Sequence, residues 1–305
     1  MTAAPGSSSR LGSLVSRAIV TLFAAGGFAA LCWADATGLW AAPPAWWLAP
    51  VAVVLAFGGA AEAVRMAAGR GLAIGGLFVP LATAAVPLAA LAAARAPAAM
   101  GSGPAAEIGW AAAASMAGVG LALVLEVARY RPGGGSLARV VVAATSIVVL
   151  GLPLAFMVGL RLVGGDRGPA GLVPLVSMVA VVKIGDIAAY VVGSLIGRHK
   201  LAPVVSPGKT WEGAAASLVT SLAVAWLLLA RSGWSDGRQP WGGWAGYGVA
   251  VGVAGMLGDL AESLVKRELS AKDSGRSLGG LGGFLDLVDA TLLAAPVAWM
   301  LWVLG

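Results

Sequence analysis

Charged residues are scarce in this chain. Asp, Glu, Lys and Arg make up 11% of its 305 residues, against 59% hydrophobic ones. A soluble domain carries about 25% charge. A chain this long and this apolar cannot hide its hydrophobic surface in one aqueous core, so it uses lipid as its solvent. Cysteine is nearly absent. Cys32 stands alone in an apolar run, which excludes an intrachain disulfide and makes it a small lipid- or helix-facing residue. The single histidine, His199, sits in a charged loop and reads as an interfacial residue, not a base. A phosphate loop of the nucleotide-hydrolysing type is also missing. Ser206-Pro207-Gly208-Lys209-Thr210 lacks the first glycine at the required offset. The formal charge of +6 is spread over loops, which fits membrane topology and anionic headgroups and argues against nucleic-acid binding.

What is present is a series of continuous apolar runs. Nine are long enough for a helix to cross about 30 Å of hydrocarbon. They cover roughly 18–33, 46–67, 72–94, 107–128, 138–160, 171–197, 212–230, 244–262 and 288–304. The runs do not alternate, so helices are expected and a barrel is not. The expected fold is therefore an all-α polytopic membrane protein with about nine transmembrane helices. Arg10 and Arg17 precede the first run, but no clean cleavage site follows, so a retained anchor is expected. Fourteen of the twenty Lys and Arg residues fall in the N-terminus and the even-numbered loops, and five in the odd ones. That bias places the N-terminus in the cytoplasm and the C-terminus outside. Arg131-Pro132-Gly133-Gly134-Gly135-Ser136 reads as a hinge. It divides residues 1–135, with helices one to four, from residues 136–305, with helices five to nine and all the recognisable chemistry.

Ionisable groups in a bilayer are costly and mark function by default. Lys183 and Asp186, three apart in span six, share a helix face. They form either an internal ion pair or one wall of a polar site. In loop six, Ser206, Gly208, Lys209 and Thr210 precede a helix, an arrangement that binds phosphate through backbone N–H groups and a point charge. The plainer alternative is a positive-inside anchor with Thr210 as a helix cap. Span eight ends with Asp259, Glu262, Ser263 and Lys266 on one face. Asp286 and Asp289 repeat that spacing at the start of span nine. Carboxylates converging from two helices would suit Mg²⁺, which takes one or two carboxylates plus phosphate oxygens and water. N-capping of helix nine is the simpler reading of one of these acids, but not of both. Gly275, Gly279, Gly280, Gly282 and Gly283 fit a loop that lets backbone approach phosphate.

Three pieces of this region carry a resemblance. They are Ser263-Leu264-Val265-Lys266-Arg267, Lys272-Asp273-Ser274-Gly275 and Gly282-Gly283-Phe284-Leu285-Asp286-Leu287-Val288-Asp289. Together they resemble the signature of the phosphatidate cytidylyltransferase (CDP-diacylglycerol synthase) family at every specified position but two. Leu281 stands where the family has His, and Leu287 where it has Arg. Asp186-Ile187-Ala188-Ala189-Tyr190 and Ser206-Pro207-Gly208-Lys209-Thr210-Trp211-Glu212-Gly213 are similar to two further family segments, so the likeness covers roughly residues 170–300. It implies transfer of CMP from CTP to phosphatidic acid, giving CDP-diacylglycerol and pyrophosphate, at the inner (cytoplasmic) membrane in phospholipid biosynthesis. It implies Mg²⁺ held by Asp259 and Asp286, with Asp289 supporting. Lys266, Arg267 and Lys272 would contact phosphates, and Ser263 and Asp273 would orient groups. Lys209, Ser206, Asp186, Gly282 and Gly283 would bind substrate. A homodimer is left open. Two other readings stand beside this one: a diverged paralogue acting on another lipid phosphate or nucleotide, and a transporter whose pathway Lys183, Asp186 and Asp259 would line. The charges gather at helix ends and in two loops, which speaks against the transporter. The aspartate-rich motif of the alcohol phosphatidyltransferases is not found.

Overall fold

Apolar runs of 16 to 29 residues close into helices, because in lipid a helix satisfies its own backbone groups. The computed structural model describes residues 25–72, 75–97, 101–132, 134–268 and 283–305. In chain order these hold α1 (25–36), α2 (Ala49–Ala68), α3 (Phe78–Ala93), α4 (Pro104–Ala128), α5 (Ser136–Gly164) and α6 (Gly168–Ile196). A hairpin follows, β1 (Lys200–Ala202) paired antiparallel with β2 (Ser206–Thr210). Then come α7 (Trp211–Arg231), α8 (Gly243–Glu268) and α9 (Phe284–Leu304). Seven of these helices are long and apolar enough to cross a membrane, and α3 is a shorter apolar helix. The protein is an all-α polytopic membrane protein, and its helices follow the expected runs in order. The hairpin is the departure. Two strands of three and five residues, rich in Pro, Gly and Lys, carry no apolar alternation that would announce them.

Local chemistry sets several boundaries. Thr210 is the N-cap of α7, its hydroxyl accepting from the Gly213 N–H at 3.2 Å. Short π-helical turns interrupt α5 at Ser146–Leu150 and end α7 at Trp226–Arg231.

Helices alternate in direction, so loops gather at two ends. At one end Arg70 donates to the Glu268 carbonyl at 2.7 Å and Arg267 to the Val205 carbonyl at 3.0 Å. At the other, Arg95 donates to the Pro44 carbonyl and Arg238 to that of Val163, both at 3.2 Å. Arg161, almost wholly buried there, pairs with Asp35. Two apolar cores lie between these ends. One joins α2, α3, α4, most of α5 and the start of α9; the other joins α1, the end of α5, α6, α7, α8 and the rest of α9. Small residues let helices approach closely. A Cβ on Gly213 of α7 would stand 2.7 Å from the Ala189 carbonyl of α6, and one on Gly258 of α8 would stand 2.7 Å from the Asp289 carbonyl of α9.

Candidate active site

The close approach at Gly258 decides where the acids of α8 and α9 meet. With no side chain there, the backbone of Asp289 and Ala290 seats against α8, one residue from Asp259. As a result Asp259, Glu262 and Asp289 each bring a carboxylate oxygen within 4.8 Å of the others. Three such charges repel strongly in a medium of low dielectric unless cations stand among them. Each acid has its own lysine. Lys209 from β2 lies 2.7 Å from Asp259, Lys266 lies 2.8 Å from Glu262, and Lys183 from α6 lies 3.5 Å from Asp289. The four elements β2, α6, α8 and α9 are thereby tied at one point.

Asp286 lies one turn before Asp289. One of its oxygens meets Lys266, and the other accepts from the Gly283 N–H at 2.8 Å. It therefore caps the start of α9 and shares a lysine with Glu262. Asp186 opens into a cavity of about 290 Å³ beneath the hairpin, lined also by Tyr190, Ser206, Gly208, Lys209 and Asp259. The hairpin is held over this cavity by Arg267 and by His199, whose Nδ1 lies 2.7 Å from a Glu212 oxygen. His199 is well exposed, as its loop position suggests.

The structure thus brings together Lys183, Asp186, Ser206, Lys209, Asp259, Lys266, Asp286 and Asp289. Ser263 sits on the same helix next to Glu262, and Arg267 reaches the hairpin. Lys183 and Asp186 do face inward, but Lys183 meets Asp289 across the helix gap. Lys272, Asp273, Leu281 and Gly282 lie outside the described residues; Gly283 is buried at the start of α9. Glu262 is the addition. Sequence spacing puts it on the active face without a role, and the structure places its buried carboxylate in the acidic trio.

The trio fits a small hard cation. Octahedral Mg²⁺ holds oxygens at about 2.1 Å, so neighbouring ligands stand roughly 3 Å apart and opposite ones roughly 4 Å, and these carboxylate oxygens lie within 4.8 Å of one another. A metal site formed by these acids is also consistent with phosphate binding, because the lysines can exchange a carboxylate for a phosphate oxygen.

The pattern of the cytidylyltransferase family runs through residues 15–304 of the chain. A phosphatidate cytidylyltransferase of Mycobacterium bovis is 38% identical over 163 residues, which is 53% of this chain and 51% of the relative. One of Brucella suis is 43% identical over 145 residues, covering 46% of this chain and 50% of the relative. One of Mycobacterium leprae is 45% identical over 127 residues, covering 42% and 39%. The chain spans about half the length of the curated relatives it matches.

Proposed function

The chain belongs to the cytidylyltransferase family, and we propose that it transfers CMP from CTP to phosphatidic acid, giving CDP-diacylglycerol and pyrophosphate. The observation that carries this reading is the trio of Asp259, Glu262 and Asp289, each matched to a lysine beside the cavity under the hairpin. One substrate is a soluble polyanion and the other a lipid. A site at a helix end, between a charged hairpin and apolar helices, suits both.

In this reading an oxygen of the lipid phosphate forms a bond to the α-phosphorus of CTP. The bond from that phosphorus to the oxygen bridging to the β-phosphate breaks, and pyrophosphate leaves with its electron pair. The lipid phosphomonoester is largely ionised at neutral pH, so the step needs no strong base, in keeping with His199 at the surface. Asp259, Glu262 and Asp289 would hold Mg²⁺, which supplies charge neutralisation on the transferring phosphoryl group. Lys209 and Ser206, at the cavity wall, would hold the triphosphate. Lys183 and Lys266 would each turn from a carboxylate toward a phosphate oxygen, and Asp286 would keep Lys266 aimed. As the family resemblance implies, Arg267 and Lys272 would contact phosphates, Asp273 would orient groups, and Gly282 and Gly283 would bind substrate. Catalysis is then positioning and charge, as phosphoryl transfer demands.

The charge bias of the loops supports a cytoplasmic position for this site, where CTP is, and the inner membrane is the membrane this reading implies. Leu287, in the place of the family's arginine, favours a second reading: the same transfer to another lipid phosphate or from another nucleotide. Label placement tests the reaction. Radiolabel on the α-phosphate of CTP should enter the lipid fraction, while label on the γ-phosphate should leave as pyrophosphate. Label from the γ-position in lipid would point to kinase chemistry and overturn the proposal.

A further inference from the structure

Helix α2 lies far in sequence from the charged segment, yet it carries a buried acid. The side chain of Glu62 is completely shielded. An ionisable group so placed in a membrane helix is costly and calls for a defined partner. Its Oε2 accepts a hydrogen bond of 3.1 Å from the backbone N–H of Leu285, in the first turn of α9, and its Oε1 stands 4.0 Å from Arg65. The same face of α2 makes two more contacts with that turn. A Cβ on Gly58 would lie 2.5 Å from the ring of Phe284, so the ring packs directly on the α2 backbone. A Cβ on Gly59 would lie 3.5 Å from Leu285. Gly58, Gly59 and Glu62 therefore grip the two residues that immediately precede Asp286.

The first N–H groups of a helix have no partner within it, and a carboxylate there is favoured. Two carboxylates serve the first turn of α9. Asp286 takes the Gly283 N–H, and Glu62, from a different helix, takes that of Leu285. The direction of this turn sets where Asp286 meets Lys266 and, one turn on, where Asp289 meets Lys183 and the acidic trio.

We propose that Glu62 is a positioning residue for the transfer reaction, fixing the first turn of α9 and with it the aim of Asp286 and Asp289. The proposal rests on the transferase reading given above. It implies that the N-terminal helices are part of the catalytic apparatus, and not only an anchor for it.

The test uses the full-length protein in lipid nanodiscs with Glu62→Ala and Glu62→Gln. Glu62→Ala removes the acceptor and should lower kcat by about tenfold or more, the scale of losing a group that orients a metal ligand. It should raise the Mg²⁺ concentration for half-maximal rate and leave the KM for CTP nearly unchanged. Glu62→Gln keeps an oxygen acceptor for the Leu285 N–H and should retain most of the rate. Hydrogen exchange in the peptide covering 283–290 should quicken by about tenfold in Glu62→Ala, the measure of a local opening, with α6 and α7 unchanged. Should Glu62→Ala fail to fold, Gly58→Ala serves instead. It should push Phe284 aside and cut kcat, and adding Phe284→Ala should restore the rate. Wild-type kcat and exchange in Glu62→Ala would overturn the proposal. So would equal losses in both Glu62 variants, or a Gly58→Ala loss that Phe284→Ala does not relieve. If the wild-type protein makes no CDP-lipid, the transferase reading falls, while the exchange measurement still decides whether Glu62 holds α9.

Discussion

Asp259, Glu262 and Asp289 face three different lysines, and in the transferase reading that matching separates what these acids do for the reaction from what they do for stability. Removing one carboxylate from the trio deletes a lysine partner but also relieves repulsion between like charges, so the two effects on stability largely offset. The effect on the reaction has no such offset. Asp259→Asn and Asp289→Asn should each lower turnover by about a hundredfold or more, the scale on which charge stabilisation at a phosphoryl centre operates. Thermal melting should shift little in either variant. Steady-state rates at limiting and saturating Mg²⁺ check this, and near wild-type turnover at limiting Mg²⁺ would contradict the proposal that these acids hold a metal. Most of these residues are legible in the sequence, because acids spaced by three in an apolar background stand out. Their pairing is not. Which lysine meets which acid depends on cross-helix contacts, and Lys183 meets Asp289 rather than its neighbour Asp186 only because α6 and α9 pack as they do. Glu262 is on the visible face, but its membership of the trio needs the approach of α9.

Helices pack closely where glycine permits, and the position of the glycine decides what a substitution does. Gly258 seats α9 against α8 at the carboxylates, its missing Cβ only 2.7 Å from the Asp289 carbonyl. Gly164 makes a tighter contact at the opposite end, where a Cβ would fall 1.8 Å from the Gly171 carbonyl. Both Gly→Ala changes overpack a backbone contact, which typically costs about 1–3 kcal/mol. They should differ in the reaction. Gly258→Ala should cut kcat by about tenfold or more through misplacement of Asp259 and Asp289. Gly164→Ala should lower the melting temperature and leave the specific activity of folded protein close to wild type. Melting curves and specific activities, measured together, separate the two. At this scale the order of helices is plain from the apolar runs, since lipid demands helices of a certain length. The β1–β2 hairpin is not, because its strands are short and polar and are held by His199, Glu212 and Arg267 rather than by an apolar face. Glu62 is a further lesson. An acid inside a long apolar run carries a cost that signals a partner, but nothing in the sequence says that the partner lies more than two hundred residues away.

The whole molecule has two unlike ends, one with the acid–lysine cluster and one with the buried Arg161–Asp35 pair. The charge bias of the loops predicts that the first faces the cytoplasm. With Cys32→Ala as background, Lys200→Cys in the hairpin should react with a membrane-impermeant thiol reagent only from the cytoplasmic face of oriented vesicles. Asp236→Cys, in the loop between α7 and α8, should react only from the other. The reverse labelling would set the site away from CTP and count against the transferase reading. The measurement that bears most directly on the central claim is simpler still. Purified wild-type protein in nanodiscs is given phosphatidic acid, Mg²⁺ and each of the four nucleoside triphosphates in turn, and both pyrophosphate and nucleotide-bearing lipid are followed. The account predicts CDP-diacylglycerol and pyrophosphate in equal amounts, with CTP preferred and no product when Mg²⁺ is chelated. Well-folded protein that yields no nucleotide-bearing lipid from any of the four would contradict it.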